Sequence, residues 1–217
     1  MNYEAVIFDL DGTLVDTIAD LTDAMNAALG ECGFAQRTMD ECKYFVGDGM
    51  ENFVRRALPP DRCEADAVAR VLAIYRETYG RTWADKSRPY TGIPELLDAL
   101  DARGLTKAVF SNKPDEFTKL MVGRLLAKWQ FAAVVGARPG IPQKPDPMVA
   151  LQIARDLNVP PAQCLYVGDT NTDMQTANAA GMYAVGALWG FRSRQELIDN
   201  GAKTLIAHPL ELRTLLG

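Results

Sequence analysis

From Arg88 onward the chain alternates short apolar runs with longer amphipathic stretches, and no other feature limits its fold so tightly. The runs at 108–110, 131–135, 165–167 and 183–188 are too short for helices and almost wholly apolar, which predicts buried strands. Helices are predicted between them, over 94–103, 115–128, 147–157 and 172–180. An earlier apolar run, 3–8, reads as a first strand. Strand and helix in alternation imply an α/β protein with a doubly wound parallel sheet covered on both faces. In such sheets ligands bind beyond the carboxyl ends of the strands. Asp9, Ser111 and Asp169 each follow an apolar run directly or within one residue, so right-handed crossovers bring all three to one edge.

Residues 17 to about 84 break this rhythm. Ile18, Leu21, Met25 and Leu29 recur at helical spacing, as do Val68, Val71, Leu72 and Tyr75. Glycines and the Pro59-Pro60 pair punctuate these stripes, giving about four helices. The expected organisation is a Rossmann-like core of residues 1–15 and 85–217, with a small helical domain, 16–84, inserted after the first strand.

Composition excludes several classes. With 217 residues, 48% of them apolar, the chain can bury a substantial core. Its net charge of −5 comes from acids and bases mixed along the sequence, so no basic stripe points to nucleic acid or an anionic membrane. Cys32, Cys42, Cys63 and Cys164 form no CxxC pair, and His208 is the one histidine, so zinc sites and Ser-His catalysis lack their residues. The first eight residues include Glu4 and run straight into an acidic motif, unlike a signal peptide, and no apolar run can span a bilayer. A cytoplasmic, reducing location is expected.

The chemistry sits at the strand ends. Asp9 and Asp11 close the first run and are followed by Gly12, which permits a sharp turn. Two such acids can bind a divalent cation, divide into nucleophile and general acid, or hydrogen-bond the turn. An EF-hand is rejected by spacing, because counting from Asp9 puts glycine at position four and Asp20 at position twelve. A second acidic pair, Asp169 and Asp173, follows the 165–167 run. Four carboxylates brought together would repel unless a cation neutralised them, and magnesium suits oxygen ligands and phosphate. Asp173 also suits the first turn of a helix, where an acid complements the dipole. Lys144, fixed between prolines in Gln-Lys-Pro-Asp-Pro, can supply a cation to a phosphate, and Ser111 a hydroxyl with backbone amides beside it.

The order DLDGT, SNK, KP and GDTNTD resembles the haloacid dehalogenase superfamily of phosphohydrolases, over essentially the whole chain. That resemblance implies a helical cap after the first motif, where this sequence has its helical segment. It implies Asp9 as nucleophile, forming an aspartyl-phosphate, and Asp11 as the acid that protonates the leaving group and then activates water. Asp9, Asp169 and the main-chain carbonyl of Asp11 would bind Mg2+, with Asp173 nearby. Ser111, Asn112 and Lys144 would hold the phosphoryl group.

A carboxylate nucleophile needs no activating base at neutral pH, so the lack of a usable histidine is no obstacle. Asp11 must hold a proton when substrate binds, which cap closure would favour by removing water. The second acid of DxD argues against dehalogenation, and the absence of histidine from 19–26 argues against a sugar-phosphate mutase. The segments DTIADLTDAMNAAL, VGDGMENFVRRAL and RPYTGIPELLDAL are similar to the phosphoglycolate phosphatase subgroup. There Gly47, Asp48 and Gly49 would form a cap loop, with Arg55 or Arg56 available to a substrate carboxylate. A plain interhelical turn with solvated arginines explains the same residues. The expected partner is a small phosphorylated metabolite, 2-phosphoglycolate among the candidates. A non-catalytic metal- or phosphate-binding role stands as the other class, and a dinucleotide-binding oxidoreductase is disfavoured because DLDGTL is not GxGxxG.

Overall fold

The protein, described by a computed structural model over residues 3–216, divides into two compact units, one running to Val15 and resuming at Pro89, the other Asp16–Arg88. In the first, strand β1 (Ala5–Phe8) is buried along its whole length, as an apolar run without alternation requires. The chain leaves and re-enters this unit within two short strands, β2 (Val15–Asp16) and β3 (Arg88–Pro89), which pair with each other.

The helical unit consists of α1 (Ile18–Glu31), α2 (Met39–Phe45), α3 (Met50–Ala57) and α4 (Ala65–Thr82). Its core holds Met25, Leu29, Val54 and Val71, with the Tyr75 ring edge-on to Phe53 and stacked on Tyr79. Thr38 and Glu41 cap α2 reciprocally. Buried Asp20 on α1 accepts hydrogen bonds from the backbone amides of Lys86 and Ser87 and from the Ser87 hydroxyl, stapling the end of this unit to its first helix.

Beyond β3 follow α5 (Ile93–Ala102), β4 (Thr106–Pro114), α6 (Asp115–Leu125), β5 (Ala133–Ala137), α7 (Met148–Asp156), β6 (Cys164–Gly168), α8 (Asn171–Ala179), β7 (Tyr183–Ala187), α9 (Arg194–Asp199) and β8 (Thr204–Ile206). The six long-range strands form one sheet in the order β5-β4-β1-β6-β7-β8, with every pair parallel. Ala5, Ile7, Ala108, Phe110, Cys164, Tyr166 and Ala184 share one core with Val149 and Ile153 of α7 and Met174 of α8. The alternate residues Val6, Phe8, Val109, Leu165, Val167 and Val185 are buried as well, so both faces are covered. Each large apolar side chain so buried contributes about 1.5–3 kcal/mol.

The chain builds outward from β1 to β4 and β5, then crosses back to β6 on the other side of β1. The order therefore reverses between β1 and β6, and the crevice beyond their carboxyl ends is where a doubly wound sheet places its ligand. Asp9 and Asp169 stand at that point.

Candidate active site

The turn after β1 builds the first half of the site. The Asp9 amide donates to the Val167 carbonyl at 2.9 Å, which carries the β1–β6 ladder one step past Phe8 and aligns Asp9 with the end of β6. Gly12 then takes a φ of +84°, and a Cβ there would meet Asp169 Oδ2 at 2.3 Å, so only glycine lets the turn pass this close. The Thr13 hydroxyl donates to Asp169 Oδ1 at 2.8 Å, and the Phe191 amide donates to Oδ2 at 2.8 Å.

The second half comes from β6, α8 and the loop before α7. Asp173 accepts from the amide and hydroxyl of Thr170 through Oδ2, which caps the first turn of α8. Its other oxygen faces Lys144. The Lys144 ammonium bridges Asp9 Oδ1 at 2.8 Å and Asp173 Oδ1 at 2.7 Å, its side chain 2% exposed. Asp173 is therefore a helix-end acid, as one sequence reading expected, and it lies beside Asp9 and Asp169.

Asp9, Asp169 and Asp173 are all buried, and each offers an oxygen within 4.8 Å of the other two. One ammonium pairs with two of these three carboxylates, and the electrostatics record the excess of negative charge. Burial, with Asp173 and Asp11 adding to it against the pull of Lys144, pushes the Asp9 carboxyl up to about 7. Asp169 is pushed well above the carboxylate range by burial and then by Asp9 and Asp173. Burial opposes the charge on Lys144, but Asp173 and Asp9 outweigh it and hold the ammonium protonated. Buried carboxylates so placed fit a divalent cation, whose charge would remove their mutual repulsion.

The end of β4 supplies the rest. Its ladder with β5 is interrupted between Phe110 and Pro114, where Ser111, Asn112 and Lys113 fall. Asn112 uses its side chain on the Lys144 main chain, accepting from the amide at 2.8 Å and donating to the carbonyl at 3.1 Å, so it seats the loop that delivers the bridging lysine. Ser111 is buried, its hydroxyl accepting from the Lys113 amide at 3.3 Å. Lys113 places its ammonium 3.1 Å from each oxygen of Asp11.

Of the residues singled out by sequence, Asp9, Lys144, Asp169 and Asp173 meet directly, Asn112 is hydrogen-bonded to the Lys144 main chain, Asp11 pairs with Lys113, and Ser111 is buried at the end of β4. The five others belong to the helical unit. Gly47 and Gly49, with positive φ, flank Asp48 in the turn between α2 and α3. There exposed Arg56 pairs with half-buried Asp48 and donates to the Phe45 carbonyl at 3.0 Å, and exposed Arg55 pairs with exposed Glu51 at 2.8 Å. Sequence reasoning missed Thr13, the Phe191 amide and Lys113. No local pattern marks any of the three, because the predicted strand ends at 110 and the ladder past it is irregular.

Such a site at the switch point of a doubly wound sheet defines a class, the α/β enzymes that gather acids at the carboxyl ends of central strands. Residues 6–187 match the haloacid dehalogenase-like hydrolase family. A phosphoglycolate phosphatase of Xylella fastidiosa is 33% identical over 208 residues, covering 94% of this chain and 89% of that protein. One from Nitrosospira multiformis is 31% identical over 217 residues, with 98% and 95% covered. A solved structure from Lactobacillus delbrueckii subsp. bulgaricus superimposes with a TM-score of 0.92 at 32% identity, covering 100% of this chain and 99% of that one. The chain belongs to the haloacid dehalogenase-like hydrolase family, and is an enzyme of that family. No helix among the described residues is long and apolar enough to cross a membrane.

Proposed function

We propose that this enzyme is a magnesium-dependent phosphatase of small phosphomonoesters, with 2-phosphoglycolate as its leading candidate substrate, working through an aspartyl-phosphate on Asp9. The observation that carries this reading is the buried set of Asp9, Asp169 and Asp173 around one bridging lysine at the sheet's switch point. The names of the relatives support the substrate class.

In this reading an Asp9 carboxylate oxygen attacks phosphorus and the ester bond breaks, while Asp11 gives its proton to the departing alkoxide. Asp11 then takes a proton from water, which attacks phosphorus and returns Asp9 as a free carboxylate with release of phosphate. Lys144 holds Asp9 in place and offers positive charge to the phosphoryl oxygens, together with Ser111 and the backbone amide of Asn112. Asp9, Asp169 and the main-chain carbonyl of Asp11 would hold magnesium, with Asp173 beside it. When bound, the metal supplies the charge that offsets both the carboxylates and the phosphoryl oxygens. The helical unit, 16–88, serves as the cap of the core that resumes at Pro89, and its 47–49 turn with Arg55 and Arg56 contributes to substrate choice.

The test is phosphate release from 2-phosphoglycolate, pyrophosphate, glucose 1-phosphate and an aryl phosphate, with magnesium and with chelator, beside Asp9→Asn. Magnesium-dependent release that disappears in the variant is expected, with 2-phosphoglycolate preferred. Conversion of glucose 1-phosphate to its 6-phosphate without phosphate release would replace the phosphatase by a mutase.

A further inference from the structure

We infer that Lys113 is a specificity-determining residue, which selects phosphomonoesters whose leaving group carries a negative charge next to the ester oxygen. The inference rests on the phosphatase reading above and deepens it. The site holds two lysines with different commitments. Lys144 bridges Asp9 and Asp173, on the phosphoryl side. Lys113 pairs with Asp11, the acid assigned to the leaving group, and its side chain is 2% exposed against 12% for Asp11. A buried ammonium acts at short range with little screening, so whatever leaves beside Asp11 leaves in the field of this charge.

The distances fit a short acid. In the reaction the Asp11 carboxyl comes within about 3 Å of the ester oxygen. Lys113 Nζ lies 3.1 Å from both Asp11 oxygens, which puts it at most about 6 Å from the ester oxygen. A carboxylate joined to that oxygen through one methylene reaches about 3 Å toward it, leaving an ordinary charge-assisted hydrogen bond. A neutral leaving group gains nothing there, and an ammonium is repelled.

Three esters of nearly equal size isolate the effect: 2-phosphoglycolate, 2-hydroxyethyl phosphate and 2-aminoethyl phosphate, which are anionic, neutral and cationic. The full-length wild type with magnesium is expected to rank them in that order by kcat/KM. Lys113→Gln is expected to cut the preference for the anionic over the neutral ester by about 10–100-fold, mainly through KM, and Lys113→Arg to retain it within about fivefold. An equal fall on all three esters, carried by kcat, would overturn the inference and leave Lys113 as a positioning residue for Asp11. An unchanged ratio would overturn it as well.

If Lys113→Gln does not fold, Lys113→Met carries the same comparison. Calorimetric binding to Asp9→Asn separates this inference from the reaction itself. There, added Lys113→Gln is expected to weaken 2-phosphoglycolate about tenfold or more and 2-hydroxyethyl phosphate less than about threefold. That result upholds the role of Lys113 even if no ester is turned over, in which case the phosphatase reading alone falls. Equal weakening, or no binding of 2-phosphoglycolate, overturns it.

Discussion

Both units of the molecule bury aspartates, and they treat them in opposite ways. In the helical unit Asp20 is 1% exposed and surrounded by donors, with two backbone amides and the Ser87 hydroxyl filling its oxygens. At the edge of the sheet Asp9, Asp169 and Asp173 are also buried, but their oxygens lie within 4.8 Å of one another, and Lys144 pairs with only two of them, Asp9 and Asp173. The first arrangement is a staple, since every charge has its donor and the chain is held together by it. The second also has donors, from Thr13 and Phe191 to Asp169 and from Thr170 to Asp173, but it sets like charges against one another, an arrangement that perturbs their protonation as functional sites do. Burial alone does not mark a functional acid; burial against like charge does.

The largest test of this contrast removes one acid from each region. Asp9→Asn is expected to lower kcat by about 10⁴-fold or more while the protein stays folded, measured by phosphate release and circular dichroism. Loss of the fold instead would make Asp9 a staple too. Asp20→Ala is expected to do the reverse, costing about 3 kcal/mol of stability in denaturant unfolding because the amides of Lys86 and Ser87 lose their acceptor. A change below about 0.5 kcal/mol would show that Asp20 staples nothing.

A smaller effect concerns pH. The Asp9 carboxyl sits at about 7 in the folded protein against an ordinary 3.8, chiefly through burial, so folding favours its protonated form. The associated stabilisation is full below pH 3.8 and is lost as pH rises through 7. In chelator, Asp9→Asn is therefore expected to gain on the wild type as pH climbs across that window and to show little gain at its acid end. Magnesium should narrow the gap at pH 8 by stabilising the wild type, read as a rise in Tm. A constant difference across pH would contradict the crowding of charge at the sheet edge.

The smallest expected change is in the exposed ion pairs of the helical unit. Arg56→Ala removes the pair with Asp48 at a surface position and should cost less than about 1 kcal/mol. Thermal unfolding measures this, while kcat/KM on 2-phosphoglycolate reports whether the arginine serves specificity.

How much of this was legible in the sequence follows the same division. β1, β6 and β7 are short runs of continuous apolarity, so the parallel sheet and the acids at its edge could be read directly. β4 extends through Ser111, Asn112 and Lys113, beyond the predicted 108–110, because polar residues at a strand end look like loop. β8 and α9, with three and six residues, are too short to show a period and were not predicted. In the site, Lys144 had a motif around it, but the partner of Asp11 was hidden. Lys113 acts through a residue 102 positions away, and such a pairing exists only once the sheet has formed. Thr13 and the Phe191 amide, which orient Asp169, are likewise products of the turns and not of any local pattern.

A nucleophilic Asp9 becomes covalently phosphorylated during turnover, and trapping that species is the decisive measurement. Enzyme mixed with magnesium and labelled 2-phosphoglycolate is quenched in acid within one turnover, and the acyl phosphate is reduced with borohydride before peptide mass spectrometry. Homoserine is expected in place of Asp9 in the wild type and none in Asp9→Asn. Full phosphate release with no modified Asp9 at any quench time would contradict it.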